Sequence, residues 1–148
     1  DHFLNVIEAR NYDFHIYSLD VEEKRNTYTD AFFKDARCII DHWRIMAPGK
    51  KVMLYCNVST YQDYLYPAIK RLYPADGVTW LDGVPLWLAQ YYKKDPSGEG
   101  EPKTPRQCSS WDIWQYTPNG ARNNYGARDL NVFRDSKEAM KAWLGIKV

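Results

Sequence analysis

The fold is decided by two apolar stretches, FHIYSLDV (residues 14–21) and KVMLYCN (residues 51–57). Both are rich in aromatic and β-branched residues, which is typical of buried strands. Between them, apolar residues recur at helical spacing from Tyr28 to Met46, and Pro48-Gly49 ends the run. A strand, a helix and a second strand in this order predict a parallel α/β unit.

The helix between these strands is expected to begin at a capping box formed by Thr27 and Asp30, with Asp in place of the usual Glu. Its periodicity predicts one buried stripe. The stripe comprises Tyr28, Phe32, Ala36, Ile39, Trp43 and Met46.

The second half of the chain is poor in helix. Residues 59–73 predict a further helix, broken or kinked at Pro67. Three strands then follow with no helix between them, at residues 84–92, 111–117 and 129–133. A last helix is expected over residues 136–144, with Asp135 and Glu138 at capping-box spacing and Gly145 as its stop.

A chain of 148 residues is expected to form one domain, residues 1–148. About five strands can be found, whereas a closed α/β barrel has about eight. Five barrel strands would leave two open edges. We therefore expect an α/β fold that is the C-terminal part of an irregular barrel, whose N-terminal strands are missing from this sequence.

The composition narrows the possible partners and cofactors. Lys and Arg number 20 against 19 Asp and Glu, and this net charge of +1 argues against a nucleic-acid ligand. The histidines His2, His15 and His42 lack any metal-ligand spacing, so neither a metal nor another cofactor is expected. No stretch reaches the length of a membrane span.

The three cysteines, Cys38, Cys56 and Cys108, are odd in number and show no CxxC spacing. This pattern predicts buried, reduced thiols rather than a disulfide framework.

The residues best suited to chemistry stand at the end of the first strand. Side chains alternate along a strand, so Ser18, Asp20 and Glu22 are expected to project to one face. The carboxylates of Asp20 and Glu22 would lie at the carboxyl end of a strand, where α/β barrels hold catalytic groups. Crowded like charges raise one pKa, so one group could act as an acid. Alternatively, the two carboxylates are exposed at the N-terminus of a helix, where the helix dipole favours negative charge, and have no catalytic role.

The same alternation on the other strands predicts a cleft around Asp20 and Glu22. It would be lined by Tyr55, Trp87, Tyr91, Gln115 and Asp129. A carboxylate-rich cleft with aromatic walls suits a glycosidase. The alternative is that the aromatic rings fill the core and that Asp129 pairs with an arginine such as Arg128 or Arg122.

Five short motifs carry a resemblance that covers nearly the whole chain. The motifs are LDVE (19–22), LYCN (54–57), PLWLAQY (85–91), WQYTPNG (114–120) and DLNVF (129–133). In this order and spacing they resemble family 25 glycoside hydrolases, the lysozymes of the Chalaropsis type found among phage endolysins and bacterial autolysins.

This resemblance implies an N-acetylmuramidase on an irregular (β/α)5(β)3 barrel. By position, Glu22 matches the general acid, Asp20 the neighbouring stabilising carboxylate and Asp129 the carboxylate of the last strand. Tyr55, Trp87, Tyr91 and Gln115 match positions of the substrate cleft. The family retains the anomeric configuration, through either an enzyme carboxylate or the N-acetyl group of the substrate.

The resemblance also implies where and on what the protein acts. The expected substrate is the glycan strand of peptidoglycan, and the expected place of action is the bacterial cell wall, after secretion or release by a phage. The family's opening strand with a G-x-D-x-S-type stretch and a later Y-H-F-like run are not found in this sequence. We therefore expect activity to require the N-terminal segment, present as part of a longer chain or as a separate piece. The alternative function is a non-catalytic module that binds cell-wall glycan.

Overall fold

The computed structural model describes residues 14–22, 25–91, 100–118 and 129–146. The strands are β1 (Ile16–Asp20), β2 (Lys51–Asn57), β3 (Leu86–Ala89), β4 (Ile113–Thr117) and β5 (Leu130–Phe133). The α-helices are α1 (Asp30–Met46), α2 (Tyr66–Leu72), α3 (Gly77–Asp82) and α4 (Lys137–Trp143). A 3-10 turn (Arg25–Thr27) precedes α1, and a π-helix (Thr60–Leu65) precedes α2.

The strands form one mixed sheet in the order β1-β2-β3-β4-β5. The first four strands are parallel, and β5 runs antiparallel to β4. The predicted α/β architecture is therefore confirmed, with five strands at the expected places. In the described part of the chain β1 pairs with β2 alone and β5 with β4 alone, so the sheet does not close into a barrel there.

Helix α1 covers one face of the sheet, but its cap and its buried stripe differ from the prediction. Thr29, rather than Thr27, caps the helix, since its hydroxyl accepts a hydrogen bond from the Phe32 amide at 3.2 Å. The buried residues are Phe33, Ala36, Ile40 and Trp43. Ala36 and Trp43 are buried as predicted, whereas Phe33 and Ile40 replace Phe32 and Ile39, and Ile39 is 37% and Met46 56% exposed.

The segment after β2 is helical, as the sequence predicts, but it begins as a π-helix. The π-helix (Thr60–Leu65) runs directly into α2, and the change of helix type lies beside Pro67, where a break or kink was expected because proline has no N–H to donate. Helix α3 was not predicted. It packs tightly on α2, because a Cβ on Gly77 would stand 2.6 Å from the Ile69 carbonyl oxygen.

The remaining sequence predictions hold with changes at the ends. The later strands are shorter than predicted, and Ser136 rather than Asp135 caps α4 by accepting from the Ala139 amide at 3.1 Å. Gly145 has φ +72°, which suits its predicted role as the helix stop.

Among the cysteines, Cys56 is buried as predicted, but Cys38 is exposed and Cys108 is half-buried, and all three are free thiols.

The core lies between the sheet and the helices. It combines side chains of the strands, such as Leu54, Leu88 and Trp114, with side chains of the helices, such as Ile40 and Ile69, and these are all fully buried. No helix of the described residues is long and apolar enough to cross a membrane.

Candidate active site

The predicted site residues meet at the carboxyl ends of the parallel strands. A cavity of about 380 Å³ is lined by Ser18, Asp20, Glu22, Tyr55, Trp87, Gln115 and Asp129. We call it the carboxylate groove. The strand register explains the meeting, since Asp20 pairs with Tyr55 and Tyr55 pairs with Trp87 on the next strand. Six of the seven predicted site residues therefore line one cavity, and their roles in catalysis stay predictions.

Glu22 lies where its ionised form is disfavoured. Partial burial raises the pKa of Glu22, and the nearby charge of Asp20 raises it further. A hydrogen bond from Asn57 acts in the opposite direction, and the charge of Asp129 adds to the increase. A carboxyl group with a raised pKa in a polar cleft has the property required of a general acid.

Asn57 is a site residue that the sequence reasoning missed. Its side-chain oxygen accepts two hydrogen bonds, from the Ser59 hydroxyl at 2.8 Å and from the Thr60 amide at 2.9 Å. This arrangement fixes the amide plane and leaves the amide N–H₂ to donate to Glu22. The one signal in the sequence was that Asn57 ends the LYCN strand beside Tyr55.

The buried side-chain amide of Gln115 accepts hydrogen bonds from two tyrosines at the carboxylate groove. The Gln115 side chain is 4% exposed, and its Oε1 accepts from the Tyr55 hydroxyl at 2.7 Å and from the Tyr91 hydroxyl at 2.5 Å. Burial raises the pKa of Tyr55 and of Tyr91, so both phenols keep the protons that they donate. Tyr91 itself does not line the carboxylate groove, in contrast to the prediction, and contributes its hydroxyl from the neighbouring side.

Trp87 is held at the mouth of the carboxylate groove by two contacts. Its ring packs edge-on against Tyr55 with centroids 5.4 Å apart, and its indole N–H donates to Asn131 Oδ1 at 2.8 Å. The alternative in which these aromatics only fill the core does not describe Trp87 or Tyr55, because both line the groove. The other alternative, a pairing of Asp129 with Arg122 or Arg128, falls on arginines outside the described residues.

The floor of the groove contains a buried hydroxyl. Ser18 Oγ is shielded from solvent and has no hydrogen-bond partner within the described ranges. Those ranges also contain no group of three or more His, Cys, Asp or Glu side chains arranged to hold a metal ion. The side chains that line the groove offer three carboxyl groups, one amide, two hydroxyls and one indole ring.

A comparison with known protein families shows which family the chain belongs to. Residues 1–125 match the sequence profile described as glycosyl hydrolases family 25. The chain belongs to glycosyl hydrolase family 25. The family 25 match ends before β5, so the location of Asp129 rests on the geometry of the groove rather than on the match.

Curated relatives and solved structures resemble the chain over nearly its whole length. The uncharacterized protein YegX of Escherichia coli O157:H7 is 27% identical, over 98% of this chain and 46% of its own length. The spore cortex lytic enzyme SleM of Clostridium perfringens has a TM-score of 0.66 at 22% identity, over 94% of this chain and 44% of that one.

The catalytic domain of endolysin ply40, from bacteriophage P40 of Listeria monocytogenes, has a TM-score of 0.62 at 22% identity, over 95% of this chain and 59% of that one. At these identities the structures show a shared fold. The chain spans about half the length of the proteins it resembles.

Proposed function

We propose that this chain carries the acid-catalytic centre of a peptidoglycan hydrolase. More narrowly, the protein is an N-acetylmuramidase that cleaves the β-1,4 bond between N-acetylmuramic acid and N-acetylglucosamine. The observation that carries the proposal is the meeting of Asp20, Glu22 and Asp129 on one groove, with the pKa of Glu22 raised. Family 25 membership and the lytic enzymes among its structural neighbours support the choice of substrate.

The proposed roles follow from the charges. Glu22 acts in its protonated form, which its raised pKa favours, and gives its proton to the glycosidic oxygen as the bond breaks. Positive charge develops on the anomeric carbon and ring oxygen, and the carboxylates of Asp20 and Asp129 stabilise it. The anomeric carbon finally takes a hydroxyl group from water, and the other proton of that water returns to Glu22. Trp87 and Tyr55 offer aromatic surface against the apolar face of a pyranose ring.

The proposal also concerns the place of action and the partners. The partner is the glycan strand of the bacterial cell wall, reached after secretion or release from a phage-infected cell. The near-neutral charge of +1 supports a ligand other than nucleic acid.

The direct test is digestion of purified peptidoglycan by the complete protein, with the products analysed by mass spectrometry. New reducing ends on N-acetylmuramic acid are expected. Reducing ends on N-acetylglucosamine would contradict the bond specificity and leave a glycosidase. Binding of the wall without any new reducing ends would favour the second candidate, a non-catalytic glycan-binding module that uses the aromatic wall of the groove.

Asn57→Ser provides a test of how the acid is held. Serine can still cap the following helix, but it is too short to donate to Glu22, so the pKa of Glu22 should rise. Because activity is lost as Glu22 loses its proton, the basic limb of the pH–rate profile should move to higher pH. The measurement is wall lysis against pH, with thermal unfolding as the control. A basic limb that stays in place would contradict the hydrogen bond from Asn57.

We further propose that strands pairing with β1 complete the catalytic centre. The described residues supply five strands, fewer than the barrel that the family resemblance implies, and an apolar cavity of about 200 Å³ beside β1 is lined partly by Leu19, Val21, Phe32 and Ile39. A domain is stable by only about 5–15 kcal/mol, so the strand pairing and core packing that an incomplete barrel lacks are serious losses.

Residues 1–148 expressed alone should therefore unfold without a cooperative transition and should not digest peptidoglycan. The measurement is urea unfolding followed by circular dichroism, with the complete protein as the reference. Addition of the N-terminal segment as a separate chain should restore digestion. Cooperative unfolding of residues 1–148 together with wall digestion would contradict the proposal.

A further inference from the structure

A short segment with two buried prolines precedes β4. It comprises residues 102–108, with the sequence PKTPRQC, and we call it the proline strap. Pro102 and Pro105 are buried, and a proline ring fixes its own φ, so the strap is anchored at two rigid points. The Cys108 amide donates to the Pro105 carbonyl at 3.0 Å, which closes a tight turn with Arg106 exposed near its tip.

Two glutamines hold the proline strap beside the proposed general acid. The side-chain oxygen of Gln90 accepts a hydrogen bond from the Lys103 amide, and that of Gln62 accepts one from the Arg106 amide at 3.4 Å. Gln62 and Gln90 line a cavity of about 560 Å³ that Glu22 lines as well. The proline strap therefore borders a cavity that leads to Glu22.

The proline strap brings positive charge to this border. The cavity itself is lined by the carboxyl groups of Glu22 and Asp63. On the strap, Lys103 and Arg106 are exposed, and Arg106 forms no ion pair with another of the described residues. A negatively charged group is therefore repelled by the lining of the cavity and attracted by the strap beside it.

We propose that the proline strap binds the free carboxylates of the peptides that peptidoglycan carries on its N-acetylmuramic acid. The sugars of such a glycan strand are neutral, and the negative charge lies on the peptides that project from it. A strand bound at Glu22 can therefore keep its sugars in the cavities while a peptide carboxylate reaches Lys103 and Arg106. Arginine suits this role, because its guanidinium group binds a carboxylate through two parallel hydrogen bonds.

This inference rests on the proposed glycosidase function, because it needs the glycan strand to lie at Glu22. It concerns a different part of the substrate, since the proline strap contacts the peptide rather than the bond that breaks. Long, exposed cations add modestly to binding, so the strap should tune the choice of substrate and leave the chemical step unchanged.

The test compares two substrates that differ only in charge. Both are the tetrasaccharide made of two N-acetylglucosaminyl–N-acetylmuramic acid units, with a peptide on each muramic acid. In the first the peptide carboxylates are free, and in the second they are converted to amides. The complete protein is compared with the double variant Lys103→Glu and Arg106→Glu. The matched control is Lys34→Glu with Lys137→Glu, because both lysines are exposed on helices outside the strap and the net charge changes equally.

The double variant should lower kcat/KM for the free-carboxylate substrate by about five- to tenfold, mainly through a higher KM, because two exposed ion pairs are replaced by repulsion. Its kcat/KM for the amidated substrate should equal that of the unmodified protein, which also shows that the variant is folded. The loss should shrink as salt is added, since exposed charges are screened. The control pair should leave the ratio of the two kcat/KM values unchanged.

Three results would overturn the inference. Equal losses on both substrates would show that the strap acts on the fold or on the sugars rather than on the peptide charge. An undiminished kcat/KM for the free-carboxylate substrate would show that the strap does not bind the peptides. A loss of the same size with the control pair would show an effect of net charge alone. Failure of the unmodified protein to cleave either substrate would instead overturn the proposed function.

Discussion

Replacement of Glu22 by Gln in the complete protein should lower the turnover of peptidoglycan by at least about 10²-fold, the usual contribution of a general acid. Glutamine keeps the shape of the side chain and can still accept from Asn57, but it has no proton of suitable acidity to transfer. Glu138→Gln is the matched control, since Glu138 is an exposed glutamate on α4 that does not line the carboxylate groove.

The same variant gives a more specific result with a better leaving group. Fluoride needs little protonation as it leaves. Glu22→Gln should therefore retain much more activity on the β-fluoride of the N-acetylglucosaminyl–N-acetylmuramic acid disaccharide than on the tetrasaccharide made of two such units. The measurement is the ratio of kcat values on the two substrates. Near-normal digestion of peptidoglycan by Glu22→Gln would rule out the acid role, and equal losses on both substrates would point to a role other than proton transfer.

Asp20→Asn should lower turnover by about 10²-fold, because the carboxylate that stabilises positive charge on the sugar is lost. It should also change the pH profile. Burial raises the pKa of Glu22 most, and the charge of Asp20 raises it next. Without that charge the pKa of Glu22 falls, so Glu22 loses its proton at lower pH and the basic limb moves to lower pH. The direction is opposite to that expected for Asn57→Ser.

The acidic limb provides a second readout of the same substitution. The acidic limb reflects protonation of the carboxylates that stabilise the sugar, so it should move or vanish when Asp20 is replaced by asparagine. Asp135→Asn is the control, since Asp135 lies at the start of α4 and does not line the carboxylate groove. A profile of unchanged shape in Asp20→Asn would mean that Asp20 and Glu22 do not share a site.

The part of the site that could be predicted from sequence depends on strand alternation. Once LDVE is placed on a strand, Asp20 and Glu22 must share a face, and parallel pairing brings Tyr55 and Trp87 beside them. These relations involve only the period of a strand and the order of neighbouring strands. They hold even though the strand ends differ from the prediction by a few residues.

The part that could not be predicted depends on contacts between elements. The role of Asn57 follows from the Ser59 hydroxyl and the Thr60 amide, which reach its side-chain oxygen because the chain turns there into a π-helix. The same π-helix brings Gln62 to a cavity that Glu22 and Tyr91 also line. Likewise, the buried stripe of α1 is set by how the helix sits on the sheet, which the periodicity alone leaves uncertain by about one residue.

The side-chain oxygen of Gln115 already accepts two hydrogen bonds, and this limits which groups of a ligand can bind to that wall of the carboxylate groove. With two phenols already donating to Oε1, the amide cannot turn over without losing both hydrogen bonds. The side chain then has only N–H donors left for a ligand. A hydroxyl or acetamido oxygen can accept from such a donor, whereas an ammonium group cannot. This wall of the groove therefore prefers ligand groups that accept a hydrogen bond over groups that only donate one, and it does so with an uncharged residue.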